Sequence, residues 1–392
     1  MIFRTRTGKP LPSALTSQVG RIPSDAVSRR EFLALASAFG ASAATAYAML
    51  GSATPAQAQT TPRQGGTVRT QAQVRALKDP RTFDYTETAN FARGWLESLV
   101  TYENDGTFTP TLLESWEIND NATEYRLNVR KGVTWNDGTP FTAADVAFNI
   151  ARWCDRTVEG NSMPGRFSVL IDDTTDKAID GAIEVADDHT VLLHLPRPDL
   201  SLIPGMAEYP AAVVPQDFSA DTMLSNPKGT GPYLPEVHEV GIRAVLVRNP
   251  DHRWWNEGNG AWMDRIEFID LGTDMATFLS AATAGEIDLT YDSTGDFITV
   301  MDELPDFSRN EVATAATVVI RPNQVAEVDG AAIYADLRVR RALQLAIDNQ
   351  QILDIGYAGR GSVAENHHVG PMHPEYSPME PPQHDPAAAL AL

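Results

Sequence analysis

The sequence predicts an α/β protein with enough chain for about two domains. Three observations carry that reading. The 392 residues are 43% hydrophobic and 21% charged, which supports real cores. The stretch from Glu114 to Trp153 sets a strand, a tight turn and a capped helix one after another. Further strands and helical stripes then recur toward the C-terminus.

In chain order, residues 1–58 read as an export signal that stands outside the fold. Ser28-Arg29-Arg30-Glu31-Phe32-Leu33 has the twin-arginine form, the run Phe32–Leu50 is apolar and uncharged, and Ala56-Gln57-Ala58 offers a small-x-small cleavage site ending at Ala58. The run is rich in Ala, Ser, Thr and Gly, too weakly hydrophobic for stable spanning. No cysteine stands at the cleavage point, so a soluble periplasmic product is expected, and not a lipoprotein.

Thr60–Gln64 is a polar linker, and Gly65-Gly66-Thr67-Val68-Arg69 opens the first strand. Phe91–Val100 is expected to be helical, with Trp95, Leu96 and Leu99 inward, and Asn104-Asp105-Gly106 is a hairpin turn. Tyr125, Leu127 and Val129 alternate with Arg126, Asn128 and Arg130, the period of a strand with one buried face. Asn136-Asp137-Gly138 turns the chain. Thr142 with Asp145 then forms a capping box before a helix whose stripe is Val146, Ile150 and Trp153.

Glu159–Lys177 reads as a loop. Ile183–Val185 and Thr190–Leu195 are strands joined at Asp187-Asp188, and Pro196 and Pro198 end the second. Ala244–Trp255 begins as a strand, and Ile266–Leu271 is another. Asp274 caps a helix ended by Gly285, and Ile287–Tyr291 returns as a strand. Val318–Arg321 is expected to cross between domains. Val339, Leu343, Ala346 and Ile347 make one apolar helical face, and Asp385-Pro386 starts a last helix.

Charge and cysteine content exclude whole classes of function. The formal net charge is −21. Six basic residues against two acidic ones leave the first 58 residues at +4, so the remainder stands at −25. Such a body repels phosphate backbones and anionic headgroups, and nucleic-acid binding is not expected. The one cysteine, Cys154, allows no intramolecular disulfide and reads as a packed thiol. No enzyme is expected. Gly160–Gly165 is not a nucleophile elbow, and Lys228–Tyr233 is not a phosphate loop, because Pro232 lacks a donor N–H and no Gly-Lys-Ser/Thr follows. No cofactor is implied. His367, His368 and His373, with His384 close by, are candidate metal ligands in a proline-rich stretch that reads as a solvent-facing loop. Arg75, Arg81 and Arg93 are candidates to face an anionic ligand, and Trp254-Trp255 is a pair suited to stacking or packing.

The segment from Ser115 to Asn149, "SWEINDNATEYRLNVRKGVTWNDGTPFTAADVAFN", closely resembles the signature region of the extracellular solute-binding proteins, family 5, of ABC importers. "KGTGPY" at Lys228–Tyr233, "AVLVRNPDHRWW", "AGEIDLTY" and "DLRVRRALQLAIDNQQI" resemble further family motifs in the same order. The resemblance implies a type II periplasmic binding protein: two α/β lobes, the first over residues 59–317 with an extra subdomain at about 100–225, the second begun at 318–392. It covers roughly the first two-thirds of the family fold, so the second lobe is expected to be incomplete. The function implied is capture of a peptide or related small solute in an interlobe cleft, for delivery to an ABC permease and ATPase, by a monomer in the periplasm. The ligand contacts implied are Asp84, Tyr85, Thr86 and Glu87 in a loop where Tyr85 stands in the family's proline position, with Tyr291, Asp292, Arg321 and Asn323. A secreted peptide-holding protein without transport, or a truncated non-functional binding protein, is the alternative.

Overall fold

A computed structural model describes the whole chain except residues 1–2, 20–21, 23–25, 55–61, 312–316, 367–376, 378 and 381–382. In chain order its principal elements begin with helices α1 (Ala26–Ala38) and α2 (Ala43–Met49), strand β1 (Thr67–Gln71), helix α3 (Thr86–Ala92), the hairpin β2 (Val100–Tyr102) and β3 (Phe108–Pro110), and strands β4 (Leu113–Ile118) and β5 (Glu124–Val129). Helix α4 (Ala143–Trp153), the short hairpin β6 (Ile171–Asp172) and β7 (Lys177–Ala178), and strands β8 (Ile183–Asp187) and β9 (Thr190–His194) follow. Then come β10 (Tyr233–Glu239), β11 (Arg243–Arg248), β12 (Arg265–Ile269) and helix α5 (Met275–Thr283). The rest is helical: α6 (Asp296–Asp302), α7 (Leu337–Ala346), α8 (Asn349–Tyr357) and α9 (Pro386–Ala391). The chain divides into two compact units, Met1–Tyr291 and Asp292–Leu392.

The first unit holds two four-stranded sheets with separate cores. One sheet runs β1-β12-β11-β10, with β1 parallel to β12 and the other pairs antiparallel. Its core includes Val74, Phe83, Phe91, Trp95, Leu96, Leu246 and Phe268. The other is antiparallel, in the order β4-β5-β9-β8. Tyr125, Leu127 and Val129 of β5 are buried as the alternation requires, and α4 sets Val146, Ile150 and Trp153 against the same core at full burial. Each such side chain contributes about 1.5–3 kcal/mol by leaving water. The start of α4 is fixed by the expected box: the Thr142 N–H donates to Asp145 Oδ2 at 2.9 Å.

Several expectations shift. The helix expected at Phe91–Val100 lies earlier, at Thr86–Ala92, because β2 claims Val100 and the chain turns after Ala92; Trp95, Leu96 and Leu99 are buried from non-helical backbone. Glu159–Lys177, expected as a loop, is irregular only in part: it buries Met163, Phe167, Val169 and Leu170, makes a 3-10 turn at Ser168–Leu170 and contains β6 with the start of β7. Ile287–Tyr291 makes one parallel bridge, Leu289 to Thr70, and not a full strand. Val318–Arg321 forms no strand: Val318 and Ile320 are exposed, with no neighbouring strand pairing to them among the described residues.

The second unit is more open. Helix α7 is capped by Asp336, whose side chain accepts from Arg338 N–H; α8 is capped by Asp348, accepting from Gln351 N–H. The last helix begins as its sequence predicts, with Asp385 accepting from Ala388 N–H and Pro386 in the first turn.

Residues near the N-terminus form a small apolar cluster of their own, including Leu11, Leu15, Phe32, Leu33 and Met49. Ala34 and Ala38 of α1 belong instead to the core under β4 and β5. The uncharged run Phe32–Leu50 is divided between two helices, and among the described residues no helix is long and apolar enough to cross a membrane.

Candidate functional site

The strongest sequence motifs build a scaffold. The Asn136-Asp137-Gly138 turn docks on the Lys228–Tyr233 turn: Asn136 N–H donates to Gly229 O at 2.8 Å, and its Nδ2 donates to Pro227 O at 2.8 Å. Lys228 Nζ pairs with Asp137 at 2.8 Å. Burial would raise the Asp137 carboxyl, but Lys228 and Thr139 hold it down at about 2. Gly229 and Gly231 lie against the backbone of Gly94 and Trp95. A Cβ on Gly229 would stand 1.9 Å from Trp95 O, so no side chain fits.

Glu97 anchors the other side of this scaffold. Its carboxylate accepts from Trp254 Nε1 at 3.1 Å and from Trp255 Nε1 at 2.9 Å, and Thr230 hydrogen-bonds to it as well. Arg130 lies over the Trp255 ring at 4.3 Å. Burial pushes the Glu97 carboxyl up against these hydrogen bonds, which favour its charge. Both tryptophans are therefore packed, the commoner fate of such a pair.

The residues expected to touch ligand from the first unit gather at the start of α3. Asp84 pairs with Lys78 at 2.9 Å in solvent, and Lys78 holds its carboxyl below the usual range. Tyr85, the residue before α3, is exposed, and the Arg75 guanidinium stacks 3.5 Å from its ring centroid. Thr86 Oγ1 and Tyr291 Oη are hydrogen-bonded at 2.7 Å, although 205 positions separate them. Glu87 stands in the first turn of α3, its carboxylate near Thr86 Oγ1.

The fold makes this meeting possible. Leu289 bridges back onto β1, Tyr291 N–H donates to Gln71 Oε1 at 3.3 Å, and the tyrosine is thereby carried to the helix start. Glu87 and Arg75 share the wall of a shallow recess with Gln73, Thr88 and His238. There Arg75 Nε is buried without an acceptor among the described residues, and burial lowers His238. Of the other arginines named from sequence, Arg81 is consumed by Asp79 and Arg152 O, whereas Arg93 bonds Asn90 beside the tyrosine, its pKa lowered by desolvation. Burial is the chief cause that raises the Tyr209 hydroxyl, with the Arg166 guanidinium opposing it. Gln71, Lys78 and Tyr209 carried no signal in the sequence beyond ordinary polarity.

Asp292, Arg321 and Asn323 belong to the second unit. Arg321 is exposed, and Asn323 Oδ1 accepts from Val325 N–H at 3.1 Å in a turn. His367, His368, His373 and Ala58 lie outside the described residues, and within the described residues no group of three metal-ligating side chains occurs. Cys154 is fully buried and its thiol pushed up to about 12 by that burial, so it is no nucleophile. The exposed ring and hydroxyl at the start of α3, with the half-buried Arg75 guanidinium stacked on the ring, suit reversible contact with a polar solute that has some apolar surface.

The fold is that of the type II periplasmic binding proteins. The oligopeptide-binding protein AppA from Bacillus subtilis, solved in complex with a nonapeptide, superposes with a TM-score of 0.64 at 19% identity, over 84% of this chain and 63% of that one. The chain belongs to the bacterial extracellular solute-binding proteins, family 5, whose profile matches residues 107–392. Curated relatives include the periplasmic oligopeptide-binding protein OppA of Salmonella typhimurium, 26% identical over 82% of this chain and 58% of its own length. The nickel-binding periplasmic protein of Escherichia coli is 26% identical over 79% of this chain and 57% of its own. The chain thus spans a little over half the length of these relatives.

Proposed function

We propose that this chain works as the solute-capturing component of an ABC importer, binding a peptide or related small solute outside the cytoplasm and passing it to a membrane permease driven by an ATPase. The names of its relatives, which are binding proteins, support that class. One observation carries the site: the hydrogen bond between Thr86 and Tyr291 that joins two distant motifs beside the exposed, arginine-stacked Tyr85. Such a face binds by stacking and hydrogen bonding, makes and breaks no covalent bond, and needs no cofactor. Asp84 and Glu87 complete the proposed contacts of the first unit, and Asp292, Arg321 and Asn323 those of the second. Peptide is the proposed solute because its backbone supplies donors and acceptors and its side chains the apolar surface that Tyr85 can cover.

Residues 1–58 serve in this reading as a twin-arginine leader recognised through Arg29 and Arg30 and removed after Ala58. The product is a soluble periplasmic monomer without a lipid anchor. The test is calorimetry of the purified protein with a graded set of di-, tri- and longer peptides, and with Ni2+. Binding of a peptide class, weakened about two- to tenfold by Tyr85→Ala as expected for loss of one stacking partner, supports the reading. Affinity for every peptide unchanged by Tyr85→Ala and Thr86→Ala together removes the site, and no binding by any solute removes the function.

A further inference from the structure

The segment read as an export leader is also seated on the body of the protein, and the seat is built from both sides. From the body, the indole N–H of buried Trp116 donates to Ala38 O at 2.8 Å, and the Phe108 N–H donates to Ser37 Oγ at 2.9 Å. From the leader, Ala34 and Ala38 complete the core under β4 and β5, and Lys9 reaches Glu117. Gly40 has φ +86° and lies so close to β4 that a Cβ there would stand 2.8 Å from Trp116 O.

The twin-arginine pair is caught in the same contact. Arg30 Nη1 donates to Asn104 O at 3.0 Å, its Nε to Tyr102 Oη at 3.3 Å, and its guanidinium lies 5.6 Å from the Tyr102 ring centroid. Tyr102 and Asn104 belong to the β2–β3 hairpin, so the pocket for Arg30 exists only when that hairpin has formed. Arg29 turns the other way and bonds Ser52 Oγ within the leader, at 3.5 Å.

We propose that the β2–β3 hairpin and the Trp116 end of β4 are a docking surface for this chain's own leader, so that the folded precursor holds Arg30 itself and any export receptor for the pair must compete with it. The proposal rests on reading residues 1–58 as an export leader. In this proposal docking is reversible, because the leader carries its own small core and three of its five named polar contacts with the body, from Lys9 and Arg30, are exposed. Opening it costs the two buried hydrogen bonds, the burial of Ala34 and Ala38 and the exposed contacts of Arg30 and Lys9, and breaks no strand pairing of β4 with β5.

Amide hydrogen exchange on the full-length precursor tests this. Residues 32–49 should exchange at least about tenfold more slowly than in the isolated peptide of residues 26–50, as expected for helices held by docking and not by their own propensity. Gly40→Ala lies wholly in the leader and pushes it off Trp116 O. It should return most of that protection while leaving exchange in β5 and β9 unchanged. Trp116→Phe, which removes the indole donor together with part of a buried ring, should lose at least about two- to tenfold of the protection, read against exchange in β5 and β9 of the same variant. Exchange of 32–49 within about threefold of the free peptide overturns the docking, as does full protection in Gly40→Ala. The leader reading is tested apart from this: if Arg29→Lys with Arg30→Lys leaves export to the periplasm unchanged, that reading fails whatever the exchange result.

Discussion

Glu97 gives the sharpest test of the scaffold, because it is a desolvated carboxylate with two indole donors and a threonine for company. Replacing it by Leu keeps the volume and strands the N–H groups of Trp254 and Trp255. Each stranded donor costs about 1–3 kcal/mol when buried. Both tryptophans keep part of their surface in water, so the low end applies and Glu97→Leu should destabilise by about 2–3 kcal/mol in urea denaturation. Glu97→Gln behaves differently. Its amide oxygen still accepts from both indoles at the Oε1 position, each 3.1 Å away, and it carries no charge to desolvate.

The sign of the pH dependence follows from the same contacts. Burial raises the folded carboxyl above its ordinary value of 4.5, so the folded state holds this proton more tightly than the unfolded chain. That contribution is fully present below the unfolded value and is lost as pH rises through the folded one. Urea titrations of wild type and Glu97→Gln at intervals from pH 4 to 8 should therefore show the variant gaining on wild type as pH rises. A constant difference across that range would show that the carboxylate is solvated, and the reasoning about burial would fall.

Three further outcomes are expected. Gly229→Ala places a methyl group inside contact distance of Trp95 O and should cost about 3 kcal/mol or fail to fold, whereas Gly138→Ala, with open space around it, should cost about 1 kcal/mol from its positive φ alone; thermal unfolding of the two ranks them. Lys228→Met removes one of the two partners that depress Asp137, so the ion pair's contribution, at most about 1 kcal/mol for a half-exposed carboxylate, should vanish from the acid limb; because that carboxyl is held at about 2, wild type loses stability as pH falls from about 4 toward 2, and the variant, left with the Thr139 hydrogen bonds, loses less. Trp153→Ala empties the centre of the α4 core and should cost about 3–5 kcal/mol in urea, while a thiol reagent that leaves wild-type Cys154 unlabelled should label it in the variant.

The sequence exposed the frame of the first unit because its signals are local. Tyr125, Leu127 and Val129 declare a buried face by their spacing, Thr142 and Asp145 declare a helix start, and Asn104-Asp105-Gly106 and Asp385-Pro386 name their own turns. Where structure depends on distant partners the local signal misleads. Phe91–Val100 has a helical stripe, but the hydrophobic residues after Ala92 are buried by the neighbouring Gly229–Gly231 turn and the pairing of β2 with β3, and the helix is set earlier. Val318–Arg321 has strand composition without a strand beside it.

The same distinction separates the scaffold from the candidate site. The motifs that give the family away, around Asn136, Gly229 and Trp254-Trp255, meet one another over Trp95 and Glu97 and satisfy each other's hydrogen bonds. Side chains so fully spent on internal partners have nothing left to offer a ligand. The groups with capacity to spare, Tyr85 and Arg75 Nε, occur instead where the sequence departs from the family pattern or carries no motif at all. Family membership is therefore legible from residues that hold the fold, whereas the proposed solute contacts, Tyr85 among them, lie where the motifs do not reach. Replacing Tyr85 by alanine should accordingly change the relative affinities for different solutes while leaving the unfolding free energy within about 0.5 kcal/mol of wild type, since the ring is exposed and buries no core.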